Sequence, residues 1–218
     1  MEFICVNGFC EDGGVQMVDL HITQKNREPL FNNIFPREYW EEKALTNPYD
    51  AILYGYDEKK FWSKEVEIEG LNKNTIFLDL GCGIGRIAKK VAPLVKEYYG
   101  IDFSNEMIKK AKEIFKDCKN VNFFVNNGID LRKLEDNKFD VVHVCLVFQH
   151  MQKEITFNYI REVYRVLKKG GIFFVNSIPK IEKYIGGLTE KELDEAMKPF
   201  KVLNKKITEH YFYVKCEK

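Results

Sequence analysis

The chain has 218 residues, and its 34 Lys and Arg against 33 Asp and Glu leave a formal charge of +1, which speaks against nucleic acid as the main partner because phosphate binding wants a clear basic excess. A composition of 45% hydrophobic and 31% charged residues is that of an ordinary globular protein, long enough for one α/β domain with decoration. Apolar runs too short to span a bilayer, no visible secretory leader and six cysteines without a C-x-x-C pair predict no membrane segment and a reduced, cytoplasmic setting.

Residues 1–72 read as an amino-terminal extension and helical cap. Met1–Asn26 has no clear pattern, although Gly13-Gly14 suggests a turn, and Pro29–Pro36 reads as loop. Cys5, Cys10 and His21 match no standard zinc spacing, so no metal site is expected. Helical stretches are predicted near Arg37–Thr46, Pro48–Tyr54 and Glu58–Glu67. They are rich in rings, among them Tyr39, Trp40, Tyr49 and Trp62, most of which are expected to pack helices onto the main domain.

Residues 73–218 carry the main domain. The run TIFLDLGCGIGRIAKKV begins with a short apolar strand, Ile76 to Leu80, and is then cut by Gly81, Gly83 and Gly85. Ile87, Val91 and Val95 follow at helical spacing. Strand, tight glycine turn and helix let backbone N–H groups approach a ligand closely. The dinucleotide fingerprint G-x-G-x-x-G wants a third glycine where this chain has Arg86. Asp79, at the end of the strand, would repel a diphosphate but suit a positively charged ligand.

Lys96–Asp102 predicts a second strand that ends in an acid suited to the two hydroxyls of a ribose. Ser104 can cap a helix whose apolar face is Met107, Ile108, Ala111, Ile114 and Phe115. Lys109, Lys110 and Lys112, like Lys205 and Lys206, read as solvated faces. Val121–Val125 is a third strand running into Asn127-Gly128-Ile129-Asp130, where Asp130 could stabilise its own turn. Phe139–Val144 is a fourth strand. Residues just past it lie at the mouth of the crevice of an open α/β sheet. His150 is there, and it is the sharpest candidate general base; Gln149 could orient an acceptor. A helix over Asn158–Leu167 is expected to stop at Gly170-Gly171, before a fifth strand at Ile172–Asn176. Thr189 and Glu192 form a capping box for a short helix to about Lys198. Val202–Thr208 and Tyr211–Cys216 are too close for an intervening helix and should pair antiparallel.

The D-L-G-C-G-I-G pattern resembles motif I of the class I S-adenosylmethionine-dependent methyltransferases, and the ordered elements after it resemble the same family. The resemblance implies a Rossmann-like α/β fold: an open seven-stranded sheet, mostly parallel, with a C-terminal antiparallel hairpin and helices on both faces. It implies S-adenosyl-L-methionine as cofactor and S-adenosyl-L-homocysteine as product. Cofactor contacts would come from Asp79, Gly81, Cys82, Gly83, Asp102, Phe103, Met107, Asn127, Gly128, Ile129 and Leu146. Amino-terminal helices of the family cover the cofactor and build the acceptor pocket, which points to Tyr39, Trp40 and Tyr49.

Related amide and adenine-amino methyltransferases use an Asn/Asp-Pro-Pro-aromatic run after the fourth strand, where this chain reads CLVFQH; no cysteine follows a proline as cytosine C5 methylation requires. The expectation is therefore methyl transfer to an O, N or S atom of a small molecule, with a protein or nucleic-acid acceptor behind it. Two readings stay open beside it. A nicotinamide-dependent oxidoreductase rests on the glycine loop and Asp102 alone; the other is a non-catalytic S-adenosylmethionine-binding regulatory protein.

Overall fold

The computed structural model describes residues 37–46, 70–177, 188–207 and 212–218. Tyr49, the stretches near Pro48–Tyr54 and Glu58–Glu67, Cys5, Cys10 and His21 lie outside the described residues.

Helix α1 spans Arg37–Thr46. Strand β1 (Ile76–Leu80) leads through the glycine turn to helix α2 (Ala88–Val91). Strand β2 (Glu97–Asp102), helix α3 (Asn105–Ile114) and strand β3 (Val121–Val125) follow. Then come β4 (Phe139–Cys145), α4 (Lys153–Val166), β5 (Leu167–Ser177), α5 (Glu190–Met197), β6 (Lys201–Ile207) and β7 (Phe212–Glu217).

The strands form one seven-stranded sheet in the order β3-β2-β1-β4-β5-β7-β6. Pairs from β3 through β5 are parallel, and β7 runs antiparallel to both β5 and β6. The expected sheet and its terminal hairpin are both present. Chain order reverses between β1 and β4, which creates a crevice at their C-terminal ends.

Side-chain alternation divides the core into two layers. Leu78, Leu80, Val142, Val144 and Phe173 pack on Tyr159, Ile160 and Val163 of α4 and on Leu193 and Met197 of α5. On the other face, Phe77, Tyr98, Val141 and Phe174 meet Ile87 and Val91 near α2 and Ile108 and Ala111 of α3. Burial of each large side chain contributes roughly 1.5–3 kcal/mol. The capping box of α5, with Thr189 and Glu192 exchanging both hydrogen bonds, is present as expected. A cap adds about 1 kcal/mol, so Leu193 and Met197 decide where α5 sits and the cap decides where it starts.

Two elements differ from expectation. Helix α2 is short: Pro93 follows it within a 3-10 turn, Ala92–Leu94, and Val95 is already extended. Proline has no N–H to continue the ladder. Helix α4 begins earlier than predicted and ends at Val166, not at the glycine pair. Leu167 is extended and opens β5 opposite Phe139, with a register shift before Val141. Lys168 thus serves not the helix end but Asp140, which its Nζ meets at 2.7 Å.

Candidate active site

The glycine turn sits at the end of β1. Gly81, Gly83 and Gly85 have φ of +75°, +53° and +88°, a region that favours glycine. A Cβ on Gly81 would stand 2.4 Å from Cγ2 of Val147, so the turn also packs tightly on the segment after β4. Gly81 and Cys82 donate their N–H groups to the carbonyl of Ile101, bolting the turn to β2. Cys82 is buried, and burial followed by the charges of Asp102 and Asp79 pushes its thiol well up, so it is an inert packing group.

Asp102 ends β2. One oxygen accepts the Gly83 N–H and the other the Ser104 N–H, both at 2.9 Å. Burial raises its pKa above the ordinary carboxylate value, and these amides only partly oppose that. Each oxygen keeps lone-pair capacity, so two hydroxyl donors would relieve a desolvated charge. That is the environment a ribose diol fits. Phe103 beside it borders the β3 turn: a Cβ on Gly128 would lie 3.5 Å from its ring.

The β3 turn holds itself. Asn127 Oδ1 accepts the N–H groups of Ile129 and Asp130 at 2.9 and 3.0 Å. Asn126 Oδ1 accepts the Gly128 N–H at 2.6 Å and the Tyr159 hydroxyl at 2.7 Å. Asp130 is a turn residue, clamped by the Arg132 guanidinium, whose hydrogen bonds pull its pKa well down. Ile129 presents its side chain to solvent.

Asp79 is only 1% exposed. It accepts the Tyr98 hydroxyl at 2.5 Å and faces His143 Nδ1 at 3.3 Å. The carboxylate thus looks into the sheet beneath the glycine turn, rather than out at a cationic ligand. Met107 is likewise buried, packed with Ala44, Ile84 and Trp40.

Across the crevice, β4 ends at Cys145 and the chain turns sharply at Leu146, whose φ is +56°. Its N–H donates to the Asn176 carbonyl at 2.8 Å. A 3-10 turn, Phe148–His150, follows, anchored by the buried Phe148. Ser177 pins Gln149 twice: its Oγ accepts the Gln149 N–H and donates to Gln149 Oε1 at 2.6 Å. Burial lowers the His150 pKa to about 4, so the ring is neutral at pH 7. Its centroid lies 5.0 Å from that of Trp40, edge to face, and Trp40 meets Tyr39 at 5.2 Å. The structure therefore brings His150, Trp40 and Tyr39 together. Asn176, paired with Cys145 in register, is buried, and among the described residues neither end of its amide has a partner.

Helix α1 crosses these turns. Glu41 accepts the N–H groups of Asn105 and Glu106 at 2.8 and 2.9 Å and the Ser104 hydroxyl at 2.9 Å. Burial works to raise its pKa, but these bonds win and the net direction is down. Sequence reasoning missed Glu41 and Ser177, for which no local pattern exists. Tyr98 and His143 were missed too, although a histidine inside the apolar run FDVVHV is a signal for a buried partner.

Comparison with known proteins agrees with this geometry. A methyltransferase-domain family model matches residues 78–175. The N-terminal Xaa-Pro-Lys N-methyltransferase 1-A of Xenopus laevis is 30% identical over 152 residues, covering 64% of this chain and 67% of that one. A demethylmenaquinone methyltransferase of Staphylococcus aureus is 31% identical over 135 residues, covering 59% of this chain and 54% of that protein, so the match spans about half its length. A solved S-adenosylmethionine-dependent methyltransferase from Aquifex aeolicus superposes with a TM-score of 0.57 at 19% identity, over 84% of this chain and 98% of that one.

The expectation of a small-molecule acceptor, with a protein acceptor less favoured, is corrected by the Xenopus relative, named for a protein amine. The missing Asn/Asp-Pro-Pro-aromatic run argues against amide and adenine nitrogens; it says nothing about aliphatic amines. Among the described residues no helix is long and apolar enough to cross a membrane. Motif order, sheet topology and sequence relatives converge: the chain belongs to the class I S-adenosylmethionine-dependent methyltransferases.

Proposed function

We propose that this chain methylates an amine nitrogen presented by a protein or peptide, by in-line displacement. The observation that carries the reading is a neutral, half-buried His150 beside Trp40, just past the end of β4 where an acceptor would enter. The Xenopus relative's name, with its protein N-terminal amine, supports the same acceptor class.

When bound, S-adenosylmethionine supplies a methyl group activated by a sulfonium. The residues that would hold it are Asp102 for the ribose hydroxyls, Phe103 and the Asn127–Ile129 turn for the adenine, and Gly81, Gly83 and Leu146 for the amino-acid end. An amine acceptor must expose a lone pair. A terminal amine has a pKa near 8, about four units above that of His150, so full proton transfer to this ring is unfavourable. His150 instead accepts a hydrogen bond from the neutral amine and orients it, while the proton leaves to water. A neutral ring also adds no positive charge next to a sulfonium. Gln149, its carbonyl end held by Ser177, can offer its NH2 group to an acceptor carbonyl. Trp40 and Tyr39 supply ring surface that tolerates a cationic peptide.

The test uses methyl-labelled cofactor and short peptides beginning Xaa-Pro-Lys, with a free or an acetylated amino terminus. Label should enter the free-amine peptide only. Equal labelling of the acetylated form would move the acceptor from the terminal amine to the lysine side chain, and no label in any peptide alongside labelled small molecules from a cell extract would sink this acceptor class.

A further inference from the structure

Helix α1 touches the turns after three different strands. Trp40 and Ala44 pack on Ile84 of the glycine turn and on Met107 of α3. Trp40 also meets His150 after β4. Glu41 reaches the turn after β2. Residues 40, 41 and 44 share one helix face, so α1 lies across the crevice with that face down.

The contact at β2 is closely matched. An α-helix starts with four N–H groups that lack internal partners. In α3, Asn105 and Glu106 donate theirs to Glu41, Met107 donates to Ser104 Oγ, and Ser104 at the cap donates its own to Asp102. A carboxylate at a helix N-terminus also gains from the helix dipole. Ser104 is the shared residue. Its N–H holds Asp102 while its hydroxyl donates to Glu41 at 2.9 Å. One residue thus links the ribose-binding carboxylate to the helix that carries Trp40.

We propose that Glu41 is a positioning residue that straps α1 over the bound cofactor, slowing its release and seating Trp40 against His150. The proposal rests on the cofactor placement given above. Glu41 touches neither cofactor nor acceptor; it acts through Ser104 and α1.

The chain has two tryptophans, so a Trp62→Phe background leaves Trp40 as the sole indole reporter. Dissociation of S-adenosylhomocysteine is followed by stopped-flow fluorescence in that background, for Glu41→Ala, Glu41→Gln and the exposed control Glu42→Ala. Loss of charge-assisted bonds predicts release about tenfold faster or more in Glu41→Ala, with association little changed. Glu41→Gln should fall between, since an amide oxygen still accepts but carries no charge. Trp40 emission should shift to the red as α1 lifts, and Glu42→Ala should change nothing. Wild-type release with unshifted emission in a folded Glu41→Ala protein overturns the strap. If circular dichroism shows Glu41→Ala unfolded, the same two readings on Glu41→Gln decide. Failure of the wild-type protein to bind S-adenosylhomocysteine takes down the cofactor placement, and this proposal with it.

Discussion

The two sides of the crevice are built differently. After β1, β2 and β3 most bonds in the turns come from their own backbone and from one another, Gly83 to Asp102, Asp102 to Ser104, Asn127 to Ile129 and Asp130, with Glu41 and Tyr159 reaching in from α1 and α4. After β4 and β5 the groups are positioned by side chains from distant segments. Trp40 approaches His150 from α1, and Ser177 holds Gln149 from β5. On the proposed placement, a cofactor that never changes would be served by the more local frame. An acceptor that differs among relatives would be served by parts that can be exchanged without disturbing that frame. Folds host new functions this way, through side chains grafted onto a fixed scaffold.

The comparison can be broken at Asp102. Replacing it by alanine removes two charge-assisted bonds to a ribose, each about 1.5–3 kcal/mol, so affinity for S-adenosylhomocysteine should fall about a hundredfold or more by calorimetric titration. Undiminished binding would remove Asp102 from the site. Gly81→Ala probes the same side by shape alone. The positive φ and the 2.4 Å approach to Val147 predict a loss of about 1–3 kcal/mol in thermal denaturation, partly restored by adding Val147→Ala. A tolerated Gly81→Ala would mean that the two sides are not tightly joined.

His150→Phe sharpens the contrast from the other side. It should leave S-adenosylhomocysteine affinity little changed while slowing transfer to an amine about tenfold, the worth of one orienting hydrogen bond. It also has a pH signature. The folded-state pKa is about 4 against 6.5 for the unfolded chain, so the unfolded state binds more protons between those values. His150 therefore leaves stability intact above pH 6.5 and lowers it progressively as pH falls toward 4. The Phe variant should show a shallower fall of Tm over that window. An identical slope would mean that the histidine is not desolvated.

The same contrast explains what was legible in the sequence. Local frames leave local signatures. The glycine turn, the strand ending at Asp102, the Ser104 cap, the capping box at Thr189 and the hairpin of β6 and β7 all lie within short windows whose spacing is set by backbone geometry. The boundary between α4 and β5 was misplaced because Gly170-Gly171 looks like a helix stop, whereas pairing of Leu167 with Phe139 decided the matter from another strand. Glu41 was invisible for a sharper reason. On a largely polar helix one glutamate resembles its neighbours, and its partners Ser104 to Glu106 lie more than sixty positions away in the chain. Asp79 was legible as a special residue, but its direction was not. Tertiary partners Tyr98 and His143 turned it inward.

That inward carboxylate also acts as an alignment key for the central strands. Asp79 of β1, Tyr98 of β2 and His143 of β4 meet only when the three strands are in the observed stagger. A one-residue slip of β1 would swing Asp79 into the opposite layer, against Val142 and Val144. Stranding a charge there would cost about 3–5 kcal/mol, a large part of the stability of a domain. Mispaired sheets are thereby rejected during folding, before any ligand is present.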